Sequence, residues 1–167
     1  NNGPKNQKPI VLVGKAVTFD TGGISLKPGQ SMDEMKFDKC GGCTVLGIMK
    51  SVSELKLPIN VVGIIPSVEN MPGGEAYRPG DIIKLYNGKT AEILNTDAEG
   101  RLILADALAY GEKQYSPKAI IDFATLTGAC IVALGNNVAA IVSNNEQLTK
   151  KITDSSKTTT EQIWELP

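Results

Sequence analysis

The stretch Ile10-Val11-Leu12-Val13-Gly14-Lys15-Ala16-Val17-Thr18-Phe19-Asp20-Thr21-Gly22-Gly23 decides how the chain folds. Ile10 to Val13 is a short continuous apolar run, the pattern of a strand covered on both faces. It ends at Gly14 and gives way to the glycine-rich TFDTGGISLKPG (18–29), which reads as a long loop fed by a buried strand. From about Asp33 the pattern turns helical, with Val45, Ile48, Met49, Val52 and Leu55 on one stripe and Pro58 as the stop. Ile59 to Pro66 is again apolar and β-branched, a second buried strand.

Beyond the turn-rich MPGGEAYRPGD (71–81), two β-like runs flank Asn87-Gly88, the dipeptide suited to a two-residue hairpin with positive φ at both turn positions. A hairpin is expected from about Ile82 to Leu94. NTDAEGR (95–101) then leads into the helical stripe of Leu102, Leu104, Ala105, Leu108 and Ala109, followed by a strand candidate at Lys118 to Thr125. Helices are expected at Glu146 to Lys151 and near Thr160 to Trp164. Strands alternating with helices predict an α/β domain of three layers, with a central mixed, largely parallel sheet flanked by helices and the hairpin as its antiparallel element. Ligands of such sheets collect at the carboxyl ends of the strands. No repeat or linker divides the 167 residues, which read as one domain.

Composition narrows the function. With 41% apolar and 21% charged residues the chain can bury a core, so disorder is excluded. A net charge of −1, without a basic block, offers nothing to nucleic acid or to a membrane surface. The longest apolar stretch, Ile131 to Val142, is interrupted by Asn136 and Asn137 and is too short to span a bilayer, so a soluble protein is expected. Three cysteines do not make a disulfide scaffold, which fits a reducing, cytoplasmic setting. Histidine is absent, so Ser-His or Cys-His catalysis and histidine-held zinc cannot be built from these residues.

The remaining chemistry rests on carboxylates and cations at element ends: Lys15, Asp20 and Lys27 after the first strand, Asp38 at the helix start, and Asp97, Glu99 and Arg101 in NTDAEGR. Singly, each is an ordinary cap or solvated loop residue. Together in one pocket the carboxylates would repel one another, and shared protons or divalent cations relieve that. An oxygen-rich set suits hard cations or zinc, and two carboxylate-bridged ions form a known water-activating arrangement. A lysine beside them either pairs with the carboxylates or, once deprotonated, becomes a ligand. Nearby cations suit the oxyanion of acyl transfer, which points to amide hydrolysis.

NTDAEGR resembles the signature of the leucine aminopeptidase family, also called cytosol aminopeptidases. VGKAVTFDTGGISLKP (13–28), MKFDKCGG (35–42) and ATLTGA (124–129) resemble further family motifs, so the likeness runs from about Lys8 to Pro167. The resemblance implies one metal held by Lys15, Asp20, Asp38 and Glu99 and another by Asp20, Asp97 and Glu99, with Asp20 and Glu99 bridging. It implies Zn²⁺ or Mn²⁺, or else Mg²⁺ or Co²⁺, with a bridging water as nucleophile. Lys27 would act as electrophile on the scissile carbonyl, and Arg101 would anchor a bicarbonate that serves as general base. The substrate's free α-amine would bind a metal among Lys15, Asp20, Lys27 and Asp38, and its side chain would enter an apolar pocket formed with Met35, Thr125, Leu126 and Gly128.

The resemblance also implies peptide substrates with a free N-terminus and a homohexamer. It further implies that the chain is the first part of the catalytic domain, because relatives carry an added N-terminal domain and more catalytic domain beyond the equivalent of Pro167. Thr21 stands where many relatives have Ser, and Cys40-Gly-Gly-Cys43 replaces small residues, often Ala. Four other readings compete, one of them a catalytically inert structural relative, which the intact Lys15, Asp20, Lys27, Asp38, Asp97, Glu99 and Arg101 speak against. Cys40 and Cys43 have the spacing of a thioredoxin-like pair, GKAVT is a partial match to a phosphate loop without its upstream glycine, and some bacterial relatives also bind DNA, which the near-neutral charge does not support.

Overall fold

The computed structural model describes residues 2–167 and divides into two compact units, one ending at Thr125 and the other running from Leu126 to Pro167. In the first, β1 (Ile10–Gly14) is the middle strand of a parallel sheet, with β3 (Val61–Ile64) on one side and β7 (Ala119–Phe123) on the other. Its side chains alternate between two cores. Val11 and Val13 pack on Leu104 and Ala107 of α2 (Glu99–Tyr115), while Leu12 packs on Val45 of α1 (Cys40–Glu54) and on Val61. A strand with a helix on each face has no polar side, which is why Ile10 to Val13 carries no polar residue. The expected three layers are therefore present, with α1, the β3-β1-β7 sheet and α2 in that order.

The apolar run does not feed directly into a loop. After a single irregular residue the chain re-enters a strand, β2 (Ala16–Asp20), which pairs in parallel with β4 (Ser67–Asn70). The end of β2 falls where the sequence suggested loop, and β4 lies between the strand expected to end at Pro66 and the turn-rich stretch from Met71, because Thr18, Asp20, Glu69 and Asn70 hide the apolar alternation. The helical stretch from Asp33 begins as a 3-10 turn (Met32–Phe37), and α1 starts only at Cys40.

The hairpin exists as β5 (Ile82–Lys84) antiparallel to β6 (Thr90–Glu92), but its turn differs from expectation. Positive φ occurs at Gly88 and not at Asn87. Gly88 N–H donates to the Leu85 carbonyl, and Leu85 N–H donates to the Lys89 carbonyl. The loop thus has three residues with glycine in the left-handed position, the next commonest solution after the two-residue turn.

The second unit contains α3 (Ala129–Leu134), β8 (Val138–Ile141), α4 (Glu146–Ser156) and β9 (Gln162–Glu165), with β8 and β9 parallel. The helix expected near Thr160 to Trp164 is in fact β9. Ile163 and Trp164 pair in register with Ala139 and Ala140, and long-range pairing overrides a weak local pattern. The polar helix after Asn145 is present and longer than expected. The Asn145 side chain caps it by accepting from Leu148 N–H at 3.0 Å. Among the described residues, no helix is long and apolar enough to cross a membrane.

Candidate metal centre

The carboxyl end of β1 meets the start of α1 and the end of β7 at Lys15. Its N–H donates to the Phe123 carbonyl at 2.9 Å, and its own carbonyl accepts from Gly42 N–H at 2.8 Å. Gly41 makes this junction possible, since a Cβ there would fall on the Phe123 carbonyl oxygen. The Cys40-Gly-Gly-Cys43 sequence is thereby accounted for by backbone approach, and both cysteines are free and exposed.

Lys15 is only 3% exposed. Its ammonium donates to Asp38 Oδ1 at 2.9 Å and to the Thr125 carbonyl at 3.0 Å, and pairs with Glu99 Oε1 at 2.8 Å. Asp38 is held by Val17 N–H, which donates to its carbonyl, and by the Thr125 hydroxyl, which donates to Oδ1 at 2.6 Å. Burial works against the charge on Lys15, but the hydrogen bonds and charges of Asp38 and Glu99 outweigh it and hold the ammonium above its usual range. Burial likewise pushes the Glu99 carboxyl up, Lys15 offsets this only in part, and the charge of Asp20 adds to the rise.

Asp20 closes β2. Its Oδ1 accepts from Gly22 N–H and from the Asn70 amide, both at 2.9 Å, and its Oδ2 lies 2.8 Å from Lys27 Nζ. Burial opposes ionisation here too, but Lys27, Gly22 and Asn70 together keep the carboxyl below its usual range. Lys27 also donates to Asp97 Oδ1, and these two carboxylates hold its ammonium charged against the cost of burial. Asp97 and Glu99 are presented by a 3-10 turn (Thr96–Ala98) that runs into α2 and is capped by Asn95 Oδ1, which accepts from Asp97 N–H at 2.8 Å.

One oxygen each from Asp20, Asp97 and Glu99 lie within 4.8 Å of one another. The whole cluster holds four carboxylates against two ammonium groups, a net charge of −2. Glu99 Oε2 is buried without a hydrogen-bond partner, as is Asp38 Oδ2 apart from its ion pair with Lys15. Uncompensated buried carboxylate oxygens are costly, and a divalent cation is the ligand that satisfies them. The residues present therefore fit a metal site of hard oxygen donors, with two lysines beside it.

Lys15, Asp20, Lys27, Asp38, Asp97, Glu99 and Thr125 thus lie together in one connected cluster. Arg101 is exposed in the first turn of α2 and has no ion pair among the described residues. Met35 is half-buried in the 3-10 turn before α1, and its carbonyl accepts from Asp38 N–H. Leu126 and Gly128 belong to the second unit, where Gly128 precedes α3.

The sequence reading passed over the framework behind the carboxylates. Thr96, with no exposure, donates to the Gly22 carbonyl at 2.5 Å and accepts from Ser25 N–H at 2.8 Å. Its carbonyl accepts from the Asn70 amide and from the Tyr77 hydroxyl. The available signal was the position of Asn70 at the carboxyl end of a strand, but β4 itself was too polar to be recognised.

Comparison with known proteins points to one family. The model of the cytosol aminopeptidase family, catalytic domain, matches residues 1–167. A probable cytosol aminopeptidase of Cenarchaeum symbiosum (strain A) is 77% identical over the full chain, which covers 34% of that protein. Another, of Alkalilimnicola ehrlichii, is 57% identical over the full chain and is covered to 33%. Among solved structures, the cytosol aminopeptidase of Coxiella burnetii superposes with a TM-score of 0.92 at 44% identity, over 99% of this chain and 36% of that one. The bottromycin maturation enzyme BotP gives 0.89 at 39% identity, over 96% of this chain and 34% of its own. The chain spans about a third of the length of these relatives. With the whole of it matched, this chain belongs to the cytosol aminopeptidase family and carries part of that family's catalytic domain.

Proposed function

We propose that the intact protein carrying this chain is a dinuclear metalloaminopeptidase that removes the N-terminal residue, leucine or another, from peptides with a free amino terminus. The observation that supports it most is the meeting of Asp20, Asp97 and Glu99 oxygens within 4.8 Å beside the unpartnered Glu99 Oε2. Lys15, Asp20, Asp38 and Glu99 would hold one divalent ion, and Asp20, Asp97 and Glu99 the other, with zinc or manganese as the first candidates. Bound there, the ions would supply Lewis acidity and a water of lowered pKa.

The side chains contribute the rest. Lys27 keeps its proton against burial, so its ammonium can face the carbonyl oxygen of the scissile amide and stabilise charge that develops there. Arg101, exposed at the start of α2, would anchor the bicarbonate that accepts a proton. Met35 and Thr125 would contribute to the pocket for the first side chain. Cytoplasmic residence and hexameric assembly complete the reading.

The test is hydrolysis of leucine p-nitroanilide by the intact protein, stripped of metal and then supplied with Mn²⁺ or Zn²⁺. Turnover that returns with metal is expected. No turnover under any divalent ion would overturn the proposal.

A further inference from the structure

We infer that Asn70 is a positioning residue of the metal centre, tying the strand that bears Asp20 to the turn that bears Asp97 and Glu99, and that divalent-ion affinity depends on its amide. The inference rests on the metal-site reading above and adds to it a residue that is not itself a ligand.

Asn70 ends β4 and is 4% exposed. Its backbone is fixed from β2, because its carbonyl accepts both Thr21 N–H, at 2.9 Å, and the Thr21 hydroxyl, at 2.8 Å. Its side chain spends both amide hydrogens inside the site. One goes to Asp20 Oδ1 at 2.9 Å and the other to the Thr96 carbonyl at 3.0 Å. Both partners are pure acceptors, so the amide orientation is forced, because a flipped amide would set oxygen against two oxygens in a buried place.

Two consequences follow for Asp20. Its Oδ1 accepts from Asn70 and from Gly22 N–H, which uses its two lone pairs. Oδ2 faces Lys27 and is the oxygen left for an ion. Asn70, with Gly22 N–H, therefore orients the Asp20 carboxylate so that one oxygen faces the cluster. Through Thr96 the same amide fixes the distance between Asp20 and the Asp97–Glu99 turn, since Thr96 immediately precedes Asp97. Oxygens held apart at a set spacing are what a two-ion site needs, and partners that orient ligands commonly contribute about ten- to a hundredfold in metal affinity.

Asn60 supplies a matched control. Its amide also donates twice, to the Pro4 carbonyl at 2.9 Å and the Gln7 carbonyl at 3.0 Å, but at the amino-terminal edge of β3 and away from the carboxylates. Truncating either asparagine removes two hydrogen bonds, and only one of the two truncations should disturb the ions.

The experiment is calorimetric titration of the metal-stripped intact protein with Mn²⁺, for wild type, Asn70→Ala, Asn70→Ser and Asn60→Ser, each with its thermal midpoint without metal. Serine leaves room for a water to replace part of the lost donation, so it retains the test if alanine prevents folding. Expected is a loss of about tenfold or more in Mn²⁺ affinity for the Asn70 variants, with serine milder than alanine. Asn60→Ser should lower the midpoint and leave affinity as in wild type. Folded Asn70 variants that bind Mn²⁺ like wild type, or Asn60→Ser losing as much, would overturn the inference and leave the metal site standing. A wild type that binds no divalent ion would instead overturn the metal-site reading, and the inference with it.

Discussion

Lys15 Nζ lies 2.8 Å from Glu99 Oε1 in a setting where both side chains are nearly inaccessible, and the ammonium is held charged above its usual range. A charged ammonium has no lone pair, so an ion taken up through Lys15 must displace its proton. Titrating the metal-stripped protein between pH 7 and 9, in buffers of different ionisation enthalpy, should therefore register proton release of about one per ion held by Lys15. Affinity should rise with pH, by up to about tenfold per unit, because the displaced proton becomes easier to lose. Binding without proton release would mean that Lys15 stays an ion-pair partner and is no ligand.

Glu99→Gln separates function from stability. The substitution removes a carboxylate from a cluster that already carries net negative charge, and Lys15 keeps Asp38 and the Thr125 carbonyl as partners. Since burial already disfavours the ionised Glu99, the metal-free thermal midpoint should change little. Turnover of leucine p-nitroanilide should fall by at least about a hundredfold, the scale of losing one fixed electrostatic group, and Asp97→Ala should behave alike. Wild-type turnover in either variant would remove both residues from the proposed site.

The three layers were legible because Ile10 to Val13 is apolar at every position, a pattern that only a strand covered on both faces requires. The clustered carboxylates and lysines were legible through chemistry concentrated at element ends and through likeness to a family. Strands β2 and β4 were not, since their buried polar residues, Asp20 and Asn70, serve each other and leave no apolar period to detect. The framework of Asn70, Thr96 and Tyr77 was hidden for a related reason. Its hydrogen bonds to the Thr96 carbonyl reach across 26 positions from Asn70 and 19 from Tyr77, and contacts of that range write no local pattern.

Two glycines of α1 should respond in opposite ways to the same substitution. A Cβ at Gly41 would strike the Phe123 carbonyl, and the junction it would force apart also fixes the backbone of Lys15. Gly41→Ala should thus lower the thermal midpoint and weaken Mn²⁺ binding together. At Gly47 a Cβ meets nothing within 4 Å, so Gly47→Ala gains helix propensity without a clash and should stabilise by about 0.5–1 kcal/mol. Denaturant unfolding of the two variants reads both signs, and equal effects would show that α1 and the end of β7 do not approach as closely as described.

The Tyr77 phenol donates to the Thr96 carbonyl at 2.7 Å, and its pKa is pushed up to about 12, first by burial and then by the charges of Glu99, Asp20 and Asp97. An unfolded tyrosine ionises near 10, so between about pH 10 and 12 the unfolded chain gives up a proton that the folded chain retains. Unfolding then releases that proton, and stability falls as pH rises across this window, whereas below it Tyr77 contributes no pH dependence. The tyrosinate absorbance of wild type minus Tyr77→Phe should therefore show a transition near pH 12 in the metal-free protein. Divalent ions that neutralise the three carboxylates should lower that transition, but only part of the way to 10, because burial is the larger cause and metal does not remove it. A difference transition near 10 without metal would show that Tyr77 does not lie against the buried turn that presents Asp97 and Glu99.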